Sequence, residues 1–224
     1  RDRRAMATWV AGFRPDVVVM ESTGIYWKSP YAALEQAGIR ALVVNARHVK
    51  RVPGRKTDIA DAQWLAILAR AGLLTGGFVP PANFRELRLI ARQLQRLTGI
   101  RAGEKNRLHK VLTDGGIRLS VVVSDLHGQS AWAMVKALAA GETPQQVLRH
   151  ASARLRATEQ ELLDALDGDL SDAHRFVLAE LVDHVEDLDR RIAGFRDRLL
   201  AGLAPQQRLL GALQTLPGFD ELGA

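Results

Sequence analysis

The sequence predicts an α/β unit followed by an all-α region, and three observations carry that prediction. Two short runs rich in β-branched residues, 16–20 and 39–44, bracket a stretch of helical periodicity, the strand–helix–strand pattern of a parallel pair with a crossover helix. A Gly- and Pro-rich connector at 72–82 follows and marks a boundary. Beyond it, residues 83–113 and 171–201 repeat apolar side chains at intervals of three and four, the spacing of long helices that pair along a seam.

Taken in order, residues 1–13 read as a helix closed by Gly12 and Arg14-Pro15. Residues 16–20 form a short buried strand. A helix spans 27–36, with Pro30 in its first turn and Gly38 just past its end, the usual punctuation of a helix. The second strand, 39–44, ends at Asn45. Because ligand sites in parallel sheets lie at the carboxyl ends of the strands, Glu21 and Asn45 are placed at the functional edge. The helix 57–71 carries Ile59, Ala62, Leu65, Ala66 and Ala69 on one expected inward stripe, and Gly72 ends it. The long helix 83–113 contains Gly99 and Gly103, which would mark a kink, and Gly115-Gly116 closes it. Residues 119–123 read as a third strand returning to the sheet. Short helices are expected at 130–140, 143–151 and 157–166, before the second long helix at 171–201. Two heptad helices imply an antiparallel hairpin, a dimer seam, or both.

These readings divide the chain into a catalytic-type α/β domain at 1–80, a basic long helix at 81–116 and a strand and helix rejoining the first domain at 117–140. A helical, coiled-coil region at 141–204 and the opening of a further domain at 205–224 complete the division. The chain starts in mid-helix on Arg1 rather than Met, and Leu213-Gln-Thr-Leu-Pro-Gly218 resembles the start of another unit. The sequence is therefore expected to be part of a longer protein.

Composition excludes several classes. There is no cysteine among the 224 residues, so disulfides, thiolate metal sites and cysteine nucleophiles are ruled out, and a reducing, bacterial-type cytoplasm is expected. No apolar run approaches the roughly 20 residues of a membrane span, and no signal peptide is expected. The net charge is +6, unevenly spread: residues 1–150 hold 23 Lys and Arg against 11 Asp and Glu, residues 151–224 hold 8 against 14. A basic front half points to a polyanionic partner, nucleic acid above all.

The residues able to carry chemistry cluster early. Glu21 follows the first strand directly, and Asp58 and Asp61 lie three apart at the start of the next-but-one helix, so they share a helix face. Three carboxylates at a sheet edge suit Mg²⁺ or Mn²⁺, which take hard oxygen donors and assist phosphodiester chemistry. The spacing of Asp58 and Asp61 fits a helix cap equally well, and Glu21 also fits an ordinary turn acid. Between them, 46–56 is basic without an acid: Arg47, His48, Lys50, Arg51, Arg55 and Lys56. Of these, Lys50, Arg51, Arg55 and Lys56 are candidates to hold a phosphate backbone beside the acids. On the long helix, Arg85, Arg88, Arg92 and Arg96 recur at helical spacing, and Arg107 and Lys110 extend the charge. Such a row can follow phosphates of DNA or, through backbone and shape, of RNA. Tyr26 and Trp27 fit base stacking or core packing alike. His48 and His109 read as surface or packing residues rather than catalysts.

The ordered motifs Glu21-Ser-Thr-Gly-Ile-Tyr-Trp27, Val43-Val-Asn-Ala-Arg-His-Val49, Lys56-Thr-Asp-Ile-Ala-Asp-Ala62, Lys105-Asn-Arg-Leu-His-Lys-Val-Leu112 and Leu216-Pro-Gly218 resemble the insertion-sequence transposases of the "one-hundred-and-ten" family. That resemblance implies a ribonuclease H-like (RuvC-like) domain with a DEDD acid set, in which Glu21, Asp58 and Asp61 are the second, third and fourth acids binding Mg²⁺. The first acid would lie upstream of Arg1. A catalytic serine would lie in a C-terminal domain, whose opening departs from the family pattern at Phe219-Asp220. The resemblance also implies DNA and a guide (bridge) RNA as partners, with at least a dimer formed through the long helices. The function expected is DNA transposition or recombination. The alternatives are a non-catalytic nucleic-acid-binding and dimerisation module, and a Holliday-junction resolvase-like metal nuclease.

Overall fold

The computed structural model describes residues 2–45, 58–153 and 155–219, with the side chains of Asp2 and Asp58 outside the description. Lys50, Arg51, Arg55 and Lys56 therefore lie outside the described residues. The chain forms two compact units, residues 1–85 and 86–224.

The first unit is built on two parallel strands. β1 (Val18–Glu21) pairs with β2 (Ala41–Val44) in the register Val18↔Ala41 to Glu21↔Val44. Helices α1 (Asp2–Gly12) and α2 (Lys28–Gln36) pack on each other and the sheet. Ala7, Ala33 and Leu34 are buried there, with Val18, Met20 and Ile39 against them. The end of α2 explains how the chain turns back so tightly. Gly38 takes φ +71°, its N–H bonds the Glu35 carbonyl at 3.0 Å, and the Ile39 N–H reaches the Leu34 carbonyl at 2.9 Å. This pair of bonds satisfies carbonyls a helix end leaves open, and the left-handed backbone suits glycine. The next strand starts three residues later.

α3 (Asp58–Arg70) lies along β1. Val17 and Val19 line one groove of about 460 Å³ with Ala62, Leu65, Ala66 and Ala69. Ile59, expected on that inward stripe, is instead 73% exposed. The connector after α3 has a structural task. Gly77 N–H bonds the Val43 carbonyl at 2.8 Å, Gly76 bridges Val44 in antiparallel sense, and a Cβ on Gly76 would sit 2.1 Å from Leu42 Cδ1. A larger residue there would have to displace the Leu42 side chain for the chain to lie that close along β2.

The second unit is helical: α4 (Ala82–Asp114, reaching back into the first unit), α5 (Leu119–Val122), α6 (Gln129–Ala139), α7 (Pro144–Val147), α8 (Glu159–Ala165), α9 (Asp172–Leu203) and α10 (Gln207–Gln214). α4 runs unbroken through Gly99 and Gly103. α4 and α9 are antiparallel partners within one chain. Leu87 meets Gly202, Arg101 bonds Asp189 at 2.7 Å, Glu104 faces His184 at 3.8 Å, and Asp114 meets His174 at 3.1 Å. As one residue number rises the other falls in step, which is the hairpin arrangement of the long helices.

The strand expected at 119–123 is not one. Residues Leu119–Val122 form a single helical turn, with Leu119 and Val123 buried and Val121 79% exposed. Burial every fourth residue is helical spacing, not the alternation of a strand. The buried members of the β-branched run pack among Leu108, Leu112, Met134 and Leu166 instead. The turn belongs to the helical unit, not to the sheet.

Candidate functional site

Glu21 is the last residue of β1, half-buried, and its Oε1 accepts a 2.5 Å hydrogen bond from Thr23 Oγ1. The Ser22 N–H continues the ladder to the Val44 carbonyl at 2.9 Å. The acid thus stands at the carboxyl edge of the parallel pair, where the backbone is held on one side by β2. Asp58 is the first residue of α3, and Asp61, one turn on, is exposed with no hydrogen bond or ion pair among the described residues. The donors present are carboxylates, the chemistry a hard divalent cation takes. Among the described residues no three acid, His or Cys side chains form a metal-sized group; Asp58, whose side chain lies outside them, is the remaining member of the predicted set.

The basic residues of α4 divide into two kinds. Arg85 is engaged: its guanidinium makes a two-pronged contact with the Glu35 carboxylate, one prong at 3.2 Å. It also donates to the Pro80 carbonyl at 2.7 Å and lies 5.3 Å from the centre of the Tyr31 ring. This clamp, together with its charge, holds the Glu35 carboxyl below its ordinary pKa, the Arg85 hydrogen bond being the larger cause. Arg107 is paired with Glu104 at 2.5 Å. Arg88, Arg92, Arg96 and Lys110 are exposed and have no ion pair among the described residues. These four share one outward face, on the side where Leu94, Leu97, Leu108 and Leu112 are not.

Sequence spacing missed two of these features. Nothing in the row of arginines distinguished Arg85, because its partner Glu35 is 50 residues away. Glu104 interrupts the apolar spacing of α4, and spacing gives no sign that it is buried. It is 6% exposed, held between Arg107 and His184 in a polar layer of the helix pair. His109 is exposed and hydrogen-bonds Ser120 at 2.8 Å, in line with a surface residue, and His48 lies outside the described residues.

The described structure is thus a parallel strand pair with an acid at its carboxyl edge, followed in the chain by a long helix with an exposed basic row. Residues 2–116, just over half of the 224, match the transposase family of DEDD type associated with the IS110 insertion sequence, and the chain belongs to that family. The family consists of DNA-recombination enzymes acting on DNA, typically with a divalent metal. No curated protein matches the chain. No described helix is long and apolar enough to cross a membrane.

Proposed function

We propose that the protein is a DNA transposase whose ribonuclease H-like (RuvC-like) unit holds Mg²⁺ or Mn²⁺ through Glu21, Asp58 and Asp61, beside a DNA strand being exchanged. The observation that carries this reading is Glu21 closing β1 at the carboxyl edge of a parallel pair, with α3, which opens on Asp58, packed along the same strand. A bound divalent ion would supply charge stabilisation to a phosphodiester and activation of an attacking oxygen. The chain's own part is to fix the carboxylates. Thr23 orients Glu21 through its hydroxyl, and the first turn of α3 presents Asp58 and Asp61 on one face.

The exposed row Arg88, Arg92, Arg96 and Lys110 supports a second element of the reading, that α4 tracks a phosphate backbone of the DNA ends or of a guide RNA. Lys50, Arg51, Arg55 and Lys56 follow β2 in sequence and would add to the grip on the strand at the acids. Arg85 and Arg107, neutralised by Glu35 and Glu104, contribute less. Assembly into at least a dimer also belongs to the reading. Because Leu94, Leu97, Val185, Leu188 and Leu199 are buried within one chain, a second copy would meet a face other than the α4–α9 seam.

Mn²⁺ titration followed by electron paramagnetic resonance tests the metal site without requiring activity. The protein should bind Mn²⁺, and the combined Glu21→Gln, Asp61→Asn variant should lose that binding while its far-ultraviolet circular dichroism is kept. Equal Mn²⁺ binding by the variant would refute the assignment.

A further inference from the structure

The turn that follows Glu21 carries three aromatic or apolar side chains in succession, and they meet different fates. Trp27 is half-buried and packs edge-to-face on Tyr31 at 5.8 Å, and Tyr31 in turn lies beneath Arg85. That chain of rings is structural. Ile25 and Tyr26 stand 70% and 79% exposed, and the Tyr26 ring has no ring or ion partner among the described residues.

The exposed ring is not on a loose loop. The Tyr26 N–H bonds the Thr23 carbonyl at 3.3 Å, the Lys28 N–H bonds the Ile25 carbonyl at 3.1 Å, and the Tyr31 N–H bonds the Trp27 carbonyl at 2.9 Å. Gly24 turns the chain at φ +53°, and a Cβ there would lie 3.6 Å from the Tyr26 ring. The Tyr26 backbone is thus held in a hydrogen-bonded turn, and its ring is exposed. Two residues on, Lys28 is exposed and has no ion pair among the described residues. Within eight residues the edge presents a carboxylate, an exposed aromatic ring on a hydrogen-bonded turn and an ammonium without an ion pair among the described residues.

We propose that Tyr26 is a positioning residue that stacks on an unpaired base of the DNA strand held at the Glu21 edge, with Lys28 contacting that strand's backbone. The inference rests on the nucleic-acid reading above and extends it: the DNA at this edge is locally single-stranded. A base has a π-face whatever its identity, so a single ring can hold it without reading sequence. A rigid turn offers the ring with little ordering to be lost on binding. Truncating a stacking ring costs roughly 5- to 150-fold in affinity.

The test uses a duplex with a short single-stranded gap carrying 2-aminopurine, the same duplex fully paired, and EDTA throughout so that metal chemistry plays no part. Tyr26→Ala should bind the gapped DNA roughly 5- to 150-fold more weakly and lose quenching of the 2-aminopurine, with affinity for the paired duplex unchanged. Tyr26→Phe should keep both, because the ring and not the hydroxyl is used. Lys28→Ala should flatten the salt dependence on gapped DNA by roughly 0.7 in log–log slope. If Tyr26→Ala binds and quenches like the unmodified protein, the stacking role is overturned while the nucleic-acid reading stands. If the unmodified protein binds neither DNA, that reading fails and the stacking role with it.

Discussion

The division of the α4 arginines into paired and unpaired groups makes a quantitative prediction about salt. Arg88 and Arg96, with Arg92 midway, lie eight residue steps apart, about 12 Å of helix, over which one strand of a duplex carries roughly three to four phosphates. None of the three has an ion pair among the described residues, so each can neutralise a phosphate without first giving up a carboxylate. Replacing all three by Ala should reduce the slope of log affinity against log salt by about 2.7, at roughly 0.9 per phosphate contact on duplex DNA. Between 50 and 200 mM salt the unmodified protein should then lose about 40-fold more affinity than the variant. Fluorescence anisotropy over a salt series measures this directly. Arg85→Ala and Arg107→Ala are the controls, since Glu35 and Glu104 already neutralise those side chains; each should change the slope by much less than one contact. A triple variant with an unchanged slope would refute the reasoning and return this face to plain solvent.

Glycines provide a matched pair of stability predictions. Gly99 and Gly103 lie inside α4 with nothing within 4 Å of an added Cβ, so Gly99→Ala with Gly103→Ala should stabilise the protein by about 2 kcal/mol in total, a rise of roughly 4–8 °C in melting temperature. At Gly168 an added Cβ would lie 2.4 Å from the Gly115 carbonyl oxygen and 2.9 Å from the Gly116 carbonyl carbon; Gly168→Ala should cost about 3 kcal/mol in a denaturant melt. The Arg85–Glu35 clamp adds a pH dependence. The Glu35 carboxyl is depressed in the folded state, so its contribution is present above its unfolded pKa and is lost as pH falls through the lower folded value. Glu35→Gln should remove that acid-side loss, an effect kept small by the exposure of the pair, and thermal melts between pH 3 and 6 would show it.

Much of the architecture was legible because local chemistry and tertiary packing agree. The β-branched runs became β1 and β2, and the glycines at 38 and 72 end their helices in the left-handed conformation that the pattern demanded. The 3–4 repeats became α4 and α9. Where they disagreed, packing won. The Val-rich run after Leu119 has strand propensity, but strand propensity records a fit to a pleated surface, and the surroundings here are helical. Ile59 fell on the apolar stripe of α3 yet sits in its first turn, where the groove along β1 is lined only from Ala62 onward. At the site, residue type and order pointed to Glu21, Asp58 and Asp61; the spacing of Asp58 and Asp61 fits a helix cap as well as a metal role, and only the resemblance favours the metal role. The charge state of an arginine was not legible at all: Arg85 and Arg88 look alike in a row, and only the fold brings Glu35 to one of them.

The central claim is that carboxylates at the β1 edge serve DNA recombination through a divalent metal. The most direct measurement is DNA recombination by the full-length protein that contains this chain and by its Asp61→Ala variant in Mg²⁺, with circular dichroism confirming that the variant is folded. Asp61 is exposed and has no hydrogen bond or ion pair among the described residues, so its loss should leave the fold intact. The account predicts recombination abolished in a folded variant. Recombination at the unmodified level by Asp61→Ala would contradict it.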